Sequence, residues 1–221
     1  MVFKSGSNKQ QNENIRPLRI NNNDIDFVNS FRYLGYIVSS SMDCNEDITR
    51  ARNKFYAQFN MLLRKFHFSD INIQLFLFRQ FCLQVYGCEL WFGGSYSITL
   101  MKDFGIGYHK AVKKILKLSY HESNHYACQE AQVFTFSHFI NKCKITAALR
   151  VLNNPCNFIR KILDFFMVSS IFLQDVYSVL RDFYDIDSLL FNDKQAIISR
   201  ISYVQNHESQ MRDAVLLDVC S

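Results

Sequence analysis

The chain has 221 residues, 48% of them apolar, with 21 Phe but only 7 Gly and 2 Pro. That balance excludes a disordered, collagen-like or loop-rich disulfide scaffold and favours long helices around an aromatic core. Charge is uneven. Residues 1–163 hold 21 Lys+Arg against 11 Asp+Glu, and residues 164–221 hold 4 against 9, within a net charge of +5. A basic body with an acidic tail suits an anionic partner for the body. The seven Cys lack paired spacing, and Met1-Val2-Phe3-Lys4 opens no apolar signal region. A reduced intracellular protein, cytoplasmic or nuclear and not secreted, is expected.

In chain order, residues 4–14 are polar and read as a loop. Leu18–Ile20 and Ile25–Val28 flank Asn21-Asn22-Asn23-Asp24, residue types that tolerate left-handed backbone, so a hairpin is expected there. Phe31 to Val38 is aromatic and β-branched and continues the small sheet. Asp43, with Glu46 three residues on, is an approximate capping box. A helix then runs to about Phe66. Ile48, Ala51, Phe55, Phe59, Leu62 and Phe66 form its apolar stripe, with Arg50, Lys54, Gln58, Arg64 and Lys65 on the far face.

Ser69 or Asp70 caps a second helix within the apolar run Ile71–Phe92. Arg79, Gln80, Gln84 and Glu89 interrupt that run, so it is a buried helix and not a membrane span. Being apolar nearly all round, it is expected at the centre of the core. Gly93-Gly94 breaks the chain. A third helix covers roughly Ile98 to Lys117. Met101, Phe104, Tyr108, Ala111, Ile115 and Leu118 face inward, and Lys102, Lys110, Lys113 and Lys117 face outward. Gly105 and Gly107 weaken it by about 1 kcal/mol each relative to Ala. Further helices are expected at about Ser137–Asn153, Asn157–Val168, Ser170–Tyr184 and from Asp193 on.

Phe31-Arg32-Tyr33-Leu34-Gly35, the capped basic helix and Tyr86-Gly87-Cys88-Glu89-Leu90-Trp91 occur in an order that resembles the back end of a non-LTR (LINE-type) retrotransposon reverse transcriptase. The resemblance is good from Met1 to about Lys117 and faint from there to about Ile162. It implies a palm remnant with primer-grip-like strands over residues 1–41 and a thumb-like helical bundle over 42–118. Residues 119–221 would form a C-terminal helical region, acidic at its end. It also implies that Arg32, Tyr33, Leu34 and Gly35 meet a primer strand. In that family an Asp-Asp turn precedes the Tyr-Leu-Gly strand. No Asp-Asp pair occurs here, and the open frame is expected to begin inside a palm. Asp24 and Asp26 follow the place where the pair belongs and read as turn residues.

The basic positions agree with this from chemistry alone. A duplex-gripping element needs cations along a rigid rod to meet successive phosphates. Arg50, Lys54, Arg64 and Lys65 on one helix and Lys102, Lys110, Lys113 and Lys117 on another supply them. The alternative for both is an ordinary solvated helix face.

The other constellations carry little. His121, His125 and Cys128 have zinc-ligand types, but no Cys-x-x-Cys accompanies them, and no metal site is expected. Gly105-Ile106-Gly107 follows no strand and is not a phosphate loop. Phosphoryl transfer needs carboxylates holding paired metal ions, so neither catalysis nor a cofactor is expected. Mg²⁺ belongs only to the intact enzyme that the chain resembles.

The expected fold is mainly α with a small N-terminal antiparallel hairpin or sheet. The expected partner is an RNA/DNA duplex, held weakly and without sequence preference, with no membrane. The competing expectation is a non-enzymatic helical interaction protein with an unknown protein partner, or the relic product of a transposon-derived gene.

Overall fold

The computed structural model describes residues 19–21, 23–24, 28–41, 43–91 and 96–152, together with Cys156 and Ser178. The fold is mainly helical, with short antiparallel hairpins at its N-terminal side. Strands β1 (Arg19–Ile20) and β2 (Asn23–Asp24) pair Ile20 with Asn23, and Asn21 takes the left-handed conformation expected of a tight Asn-rich turn (φ 51°). The turn is thus two residues long, and Asp24 pairs with Arg19 inside the ladder. Asp26 lies outside the described residues, as do the helices expected from Asn157 on, apart from Ser178, which is helical.

Phe31–Val38 does not continue that sheet as one strand. It folds back on itself as β3 (Ser30–Tyr33) and β4 (Tyr36–Ser39), with Tyr33 opposite Tyr36. Leu34 (φ 48°) and Gly35 (φ 89°) form the two-residue turn. Positive φ at both central residues matches the twist of paired strands. The sequence hid this turn because Leu occupies a position usually filled by Asn, Asp or Gly.

Helix α1 (Asn45–Phe66) buries Ile48, Ala51, Phe55, Phe59 and Leu62, the expected stripe; Phe66 at its end is exposed. Its start differs from the expected capping box. Cys44 is the cap and its side chain bonds no helix amide, while the Asp43 carboxylate accepts from Asn45 N at 3.1 Å. Helix α2 (Ile71–Leu77) is capped by Asp70, which accepts from Asn72 N at 2.7 Å. It widens into a π-helical segment, Phe78–Cys82, and stops there, well short of Phe92.

The second helix is not apolar-buried all round. Gln74, Leu75, Phe78 and Cys82 face inward, while Ile73, Phe76 and Phe81 remain exposed. An even apolar composition does not reveal which face will be covered. A 3₁₀ turn, Cys88–Leu90, then leads to Trp91, which is fully buried.

Helix α3 (Ile98–Ile115) begins at Ser97, whose hydroxyl accepts from Leu100 N. Its inner face is as expected through Phe104, Tyr108, Ala111 and Ile115. Lys113 departs from the outer-face reading: it is buried and its Nζ donates to Tyr120 O at 3.1 Å. The two helix glycines are sites of close packing. A Cβ on Gly105 would stand 3.1 Å from Phe136, and one on Gly107 would collide with the Tyr56 hydroxyl. The helical cost of glycine there is offset by close approach of α1 and of Phe136. A short helix that periodicity did not reveal, α4 (Asn124–Glu130), follows, and then α5 (Phe136–Leu152).

The chain divides into two compact units, Met1–Ser137 and His138–Ser221. In the first, Phe55 is the hub of the core. Its ring lies 5.6 Å from Phe104, 6.1 Å from Phe78, 6.1 Å from Tyr108 and 6.3 Å from Phe59. The Tyr108 hydroxyl donates to Phe134 O at 2.6 Å, so its polar end is satisfied. In the second unit the described residues are chiefly those of α5, where Ile140, Lys144 and Ile145 are buried. Among the described residues no helix is long and apolar enough to cross a membrane.

Phe55→Ala is expected to destabilise the protein by about 3–5 kcal/mol, the cost of deleting a large buried ring. A urea midpoint equal to that of the parent would show that the hub is dispensable.

The core also sets an alkaline limit. Burial pushes the Cys82 thiol from 9.0 up to about 12 and the Cys128 thiol up to about 11, and it raises the Tyr108 phenol as well. The unfolded chain therefore releases protons that the folded chain retains. Stability is fully present below the ordinary thiol value and falls as pH rises from about 9 towards 12. Urea midpoints measured at about pH 8 and about pH 10.5 should drop, and Cys82→Ala should shallow the drop.

Candidate nucleic-acid interface

The most constrained point of the molecule is Asp47 in the first turns of α1. It is 0% exposed. Its Oδ1 accepts from Ile37 N at 3.1 Å and from Arg50 Nε at 2.7 Å, and its Oδ2 accepts from Trp91 Nε1 at 2.9 Å. A buried carboxylate survives only when its lone pairs are met in this way. One side chain therefore joins the hairpin, the basic helix and the turn before α3. Arg50 adds a second bond, from its guanidinium to Tyr86 O at 3.1 Å.

Around Asp47 the two sequence motifs meet. Gly35 lies against the Tyr86 ring, where an added Cβ would sit at 3.6 Å. Gly87 is left-handed (φ 86°), and a Cβ there would press on the Tyr36 ring at 2.8 Å. Gly87 is thus required by both conformation and space. The Tyr36 hydroxyl donates to Cys44 Sγ at 3.3 Å, and Cys44 Sγ donates to Leu90 O at 3.6 Å. Burial, then the Cys44 contact, drives the Tyr36 phenol well above its ordinary range. Asn45 Oδ1 accepts from Ser97 N at 2.7 Å, which ties the start of α3 to the start of α1.

The knot presents the hairpin tip outward. Arg32, Tyr33 and Leu34 are exposed, Leu34 at 75%, while Gly35 packs inward. Leu34 holds left-handed backbone in water, a conformation that costs an ordinary L-residue roughly 1–2 kcal/mol.

The basic residues divide. Lys54, Arg64, Lys65, Lys102, Lys110 and Lys117 are exposed. Arg50 and Lys113 are committed to Asp47 and to Tyr120 O respectively. Lys54 lines a shallow surface depression with Arg50, Gln58, Gln84 and Tyr86. The structure thus brings Lys54 beside the second motif. Lys102 and Lys110 occupy α3 and Lys117 follows its end; none of the three lines that depression.

Asp47 is the residue that the charge-pattern reading passed over. A signal was present: Asp47 precedes Ala51 and Phe55 by four and eight positions, and so stands on the apolar stripe. Among the described residues no cluster of His, Cys, Asp or Glu could hold a metal ion. Cys128 is buried with its thiol raised, whereas His121 and His125 are exposed. No family model, curated protein or solved structure matches this chain.

Asp47→Ala strands the Ile37 and Trp91 donors and the Arg50 charge together. It should destabilise by about 3–5 kcal/mol, as for other broken buried ion pairs. Urea unfolding followed by Trp91 emission checks this, and a parent-like midpoint would count against the knot.

Proposed function

We propose that this chain is a piece of a retrotransposon reverse transcriptase, the primer-grip and thumb part, which contacts a template–primer duplex and is catalytically inert by itself. The observation that carries the reading is the arrangement around Asp47. Two segments that resemble the family's Phe-Lys/Arg-Tyr-Leu-Gly strand and the end of its second thumb helix are fastened to one basic helix. The exposure of Arg32, Tyr33 and Leu34 at the hairpin tip, and of Lys54 on α1 next to Tyr86, supports a strand-holding role. Strained, exposed backbone at Leu34 supports a binding role for the tip, since such cost is commonly kept at functional sites. Absence of polymerase activity follows from the missing Asp-Asp pair, because two-metal phosphoryl transfer has no carboxylate pair to use.

A second reading, a helical protein-interaction domain, is favoured by one observation. Ile73, Phe76 and Phe81 are more than half exposed on α2 and its π segment, and Phe68 is 92% exposed nearby in sequence. Exposed apolar groups grouped on one element mark contact surfaces more often than scattered ones do.

Duplex binding across a salt series separates the two. The full chain should bind an RNA–DNA hybrid with micromolar or weaker affinity, as non-specific contacts do. Changing Lys54, Arg64 and Lys65 to Gln should flatten the log–log salt slope by up to about three. It should cost little stability, because all three are exposed. Arg50 is left intact, since its loss would unpair Asp47. An unaltered slope would move the contact elsewhere. Failure of the parent to bind at low salt would favour the interaction domain. Primer extension by the chain with Mg²⁺ or Mn²⁺, above a boiled control, would refute catalytic inertness.

A further inference from the structure

We propose that the C-terminal end of α3 carries a separate site for unpaired nucleotides, with Tyr120 as the base-stacking platform. The inference rests on the nucleic-acid reading above for its partner class, an anionic strand, but uses a different surface.

The geometry begins with the end of the helix. Lys117 adopts left-handed backbone (φ 56°), and Leu118 N closes onto Lys113 O at 2.9 Å. That bond pattern ends a helix and reverses the chain. The reversed chain returns Tyr120 over the helix it has just left. Its carbonyl accepts from Lys113 Nζ at 3.1 Å, and the ammonium groups of Lys110 and Lys113 stand 5.7 and 5.8 Å from its ring centre. His121 packs edge-on to the ring at 5.6 Å. Tyr120 is nevertheless 69% exposed. A large aromatic ring is thus fixed at its backbone and flanked by charge, with much of its surface open to water.

An open aromatic face beside cations is what an unpaired nucleotide requires. The base stacks on the ring and its phosphate meets the ammonium groups. Lys110 and Lys114 are exposed one helical turn apart on α3, and Lys117, also exposed, stands just past the helix end. Lys110 and Lys114 span about 6 Å of axis, or about two stacked nucleotides at roughly 3.4 Å each. A duplex suits this site poorly, since its bases are already stacked on one another and offer no free face. Glu122 is the nearest acidic residue in sequence, and the lysines outnumber it.

The test uses the full chain with a short fluorescein-labelled oligouridylate, an abasic oligomer of equal charge, and an RNA–DNA hybrid hairpin. Trp91 is the single Trp and is buried. Tyr120→Trp therefore adds an exposed reporter whose emission is read against the parent. Oligouridylate should quench that reporter and the abasic oligomer should not. Tyr120→Ala should weaken oligouridylate binding by at least about fivefold while leaving hybrid binding unchanged. Lys110→Gln should reduce the salt slope for the single strand alone.

Equal quenching by the abasic oligomer would overturn the proposal, as would parent-like oligouridylate binding by Tyr120→Ala or no binding of oligouridylate by the parent. The hybrid arm keeps the two readings apart. Loss of hybrid binding on changing Lys54, Arg64 and Lys65, with Tyr120-dependent oligouridylate binding retained, supports both. No hybrid binding by the parent, with the base-dependent quench intact, defeats the duplex reading and leaves this site standing.

Discussion

The N-terminal half of the fold depends on one buried negative charge. Asp47 brings together three donors from three separate stretches: the Ile37 amide, the Arg50 guanidinium and the Trp91 indole. Burying a carboxylate is expensive, and the expense is met only when every partner is in place. A hairpin shifted by one residue would turn its side chains to the other face and take Ile37 N from Asp47 Oδ1, leaving the carboxylate one donor short. The charge thus acts as a register pin. A two-stranded hairpin is barely stable alone, so its attachment to α1 gives β3 and β4 a fixed position.

The aromatic core performs the complementary task without direction. Phe55, Phe59, Phe78, Phe104 and Tyr108 hold α1, the π segment and α3 together through ring contacts. Such packing is strong but tolerates small sliding more readily than a set of hydrogen bonds does. Gly105 and Gly107 narrow the choice, because Phe136 and Tyr56 occupy the space that larger residues would fill. Aromatic burial therefore supplies most of the cohesion. The polar knot and the two close approaches decide which of several similar packings is adopted.

Much of this was legible in the sequence where one period dominates. The α1 stripe, the α3 inner face and the cap at Asp70, one of the two candidates for that helix, are local signals, and local physics governs them. The departures occur where a distant contact overrides the local pattern. Leu34 turns left-handed because Tyr33 and Tyr36 pair and Gly35 rests on Tyr86, which no local propensity encodes. The second helix ends at Cys82 although Leu83–Tyr86 contains no breaker, since Gly87 must pass the Tyr36 ring and Trp91 must reach Asp47. Lys113 sits on a face marked by three solvated lysines, yet the reversal at Lys117 brings Tyr120 O within its reach. In the candidate site, lysine positions were readable from helical spacing. Which of them are spent on structure was not.

That division bears on what the motifs mean. In Phe31-Arg32-Tyr33-Leu34-Gly35 and Tyr86-Gly87-Cys88-Glu89-Leu90-Trp91, several residues answer to architecture alone. Gly35 makes the turn, Gly87 passes Tyr36, Cys88 is buried and Trp91 bonds Asp47. Arg50, which looks like part of a phosphate-binding row, is an architectural residue too. A likeness carried by these positions says nothing of strand binding, because any chain that keeps the knot must keep them whether or not it grips a strand. The residues that the scaffold does not require are Arg32, Tyr33 and Leu34 at the tip and Lys54, Arg64 and Lys65 along α1. Exposed, they contribute little to folding, and Leu34 adds a backbone cost. The proposed duplex contact is therefore to be tested on those six side chains, and the identity of the buried ones does not stand in for it.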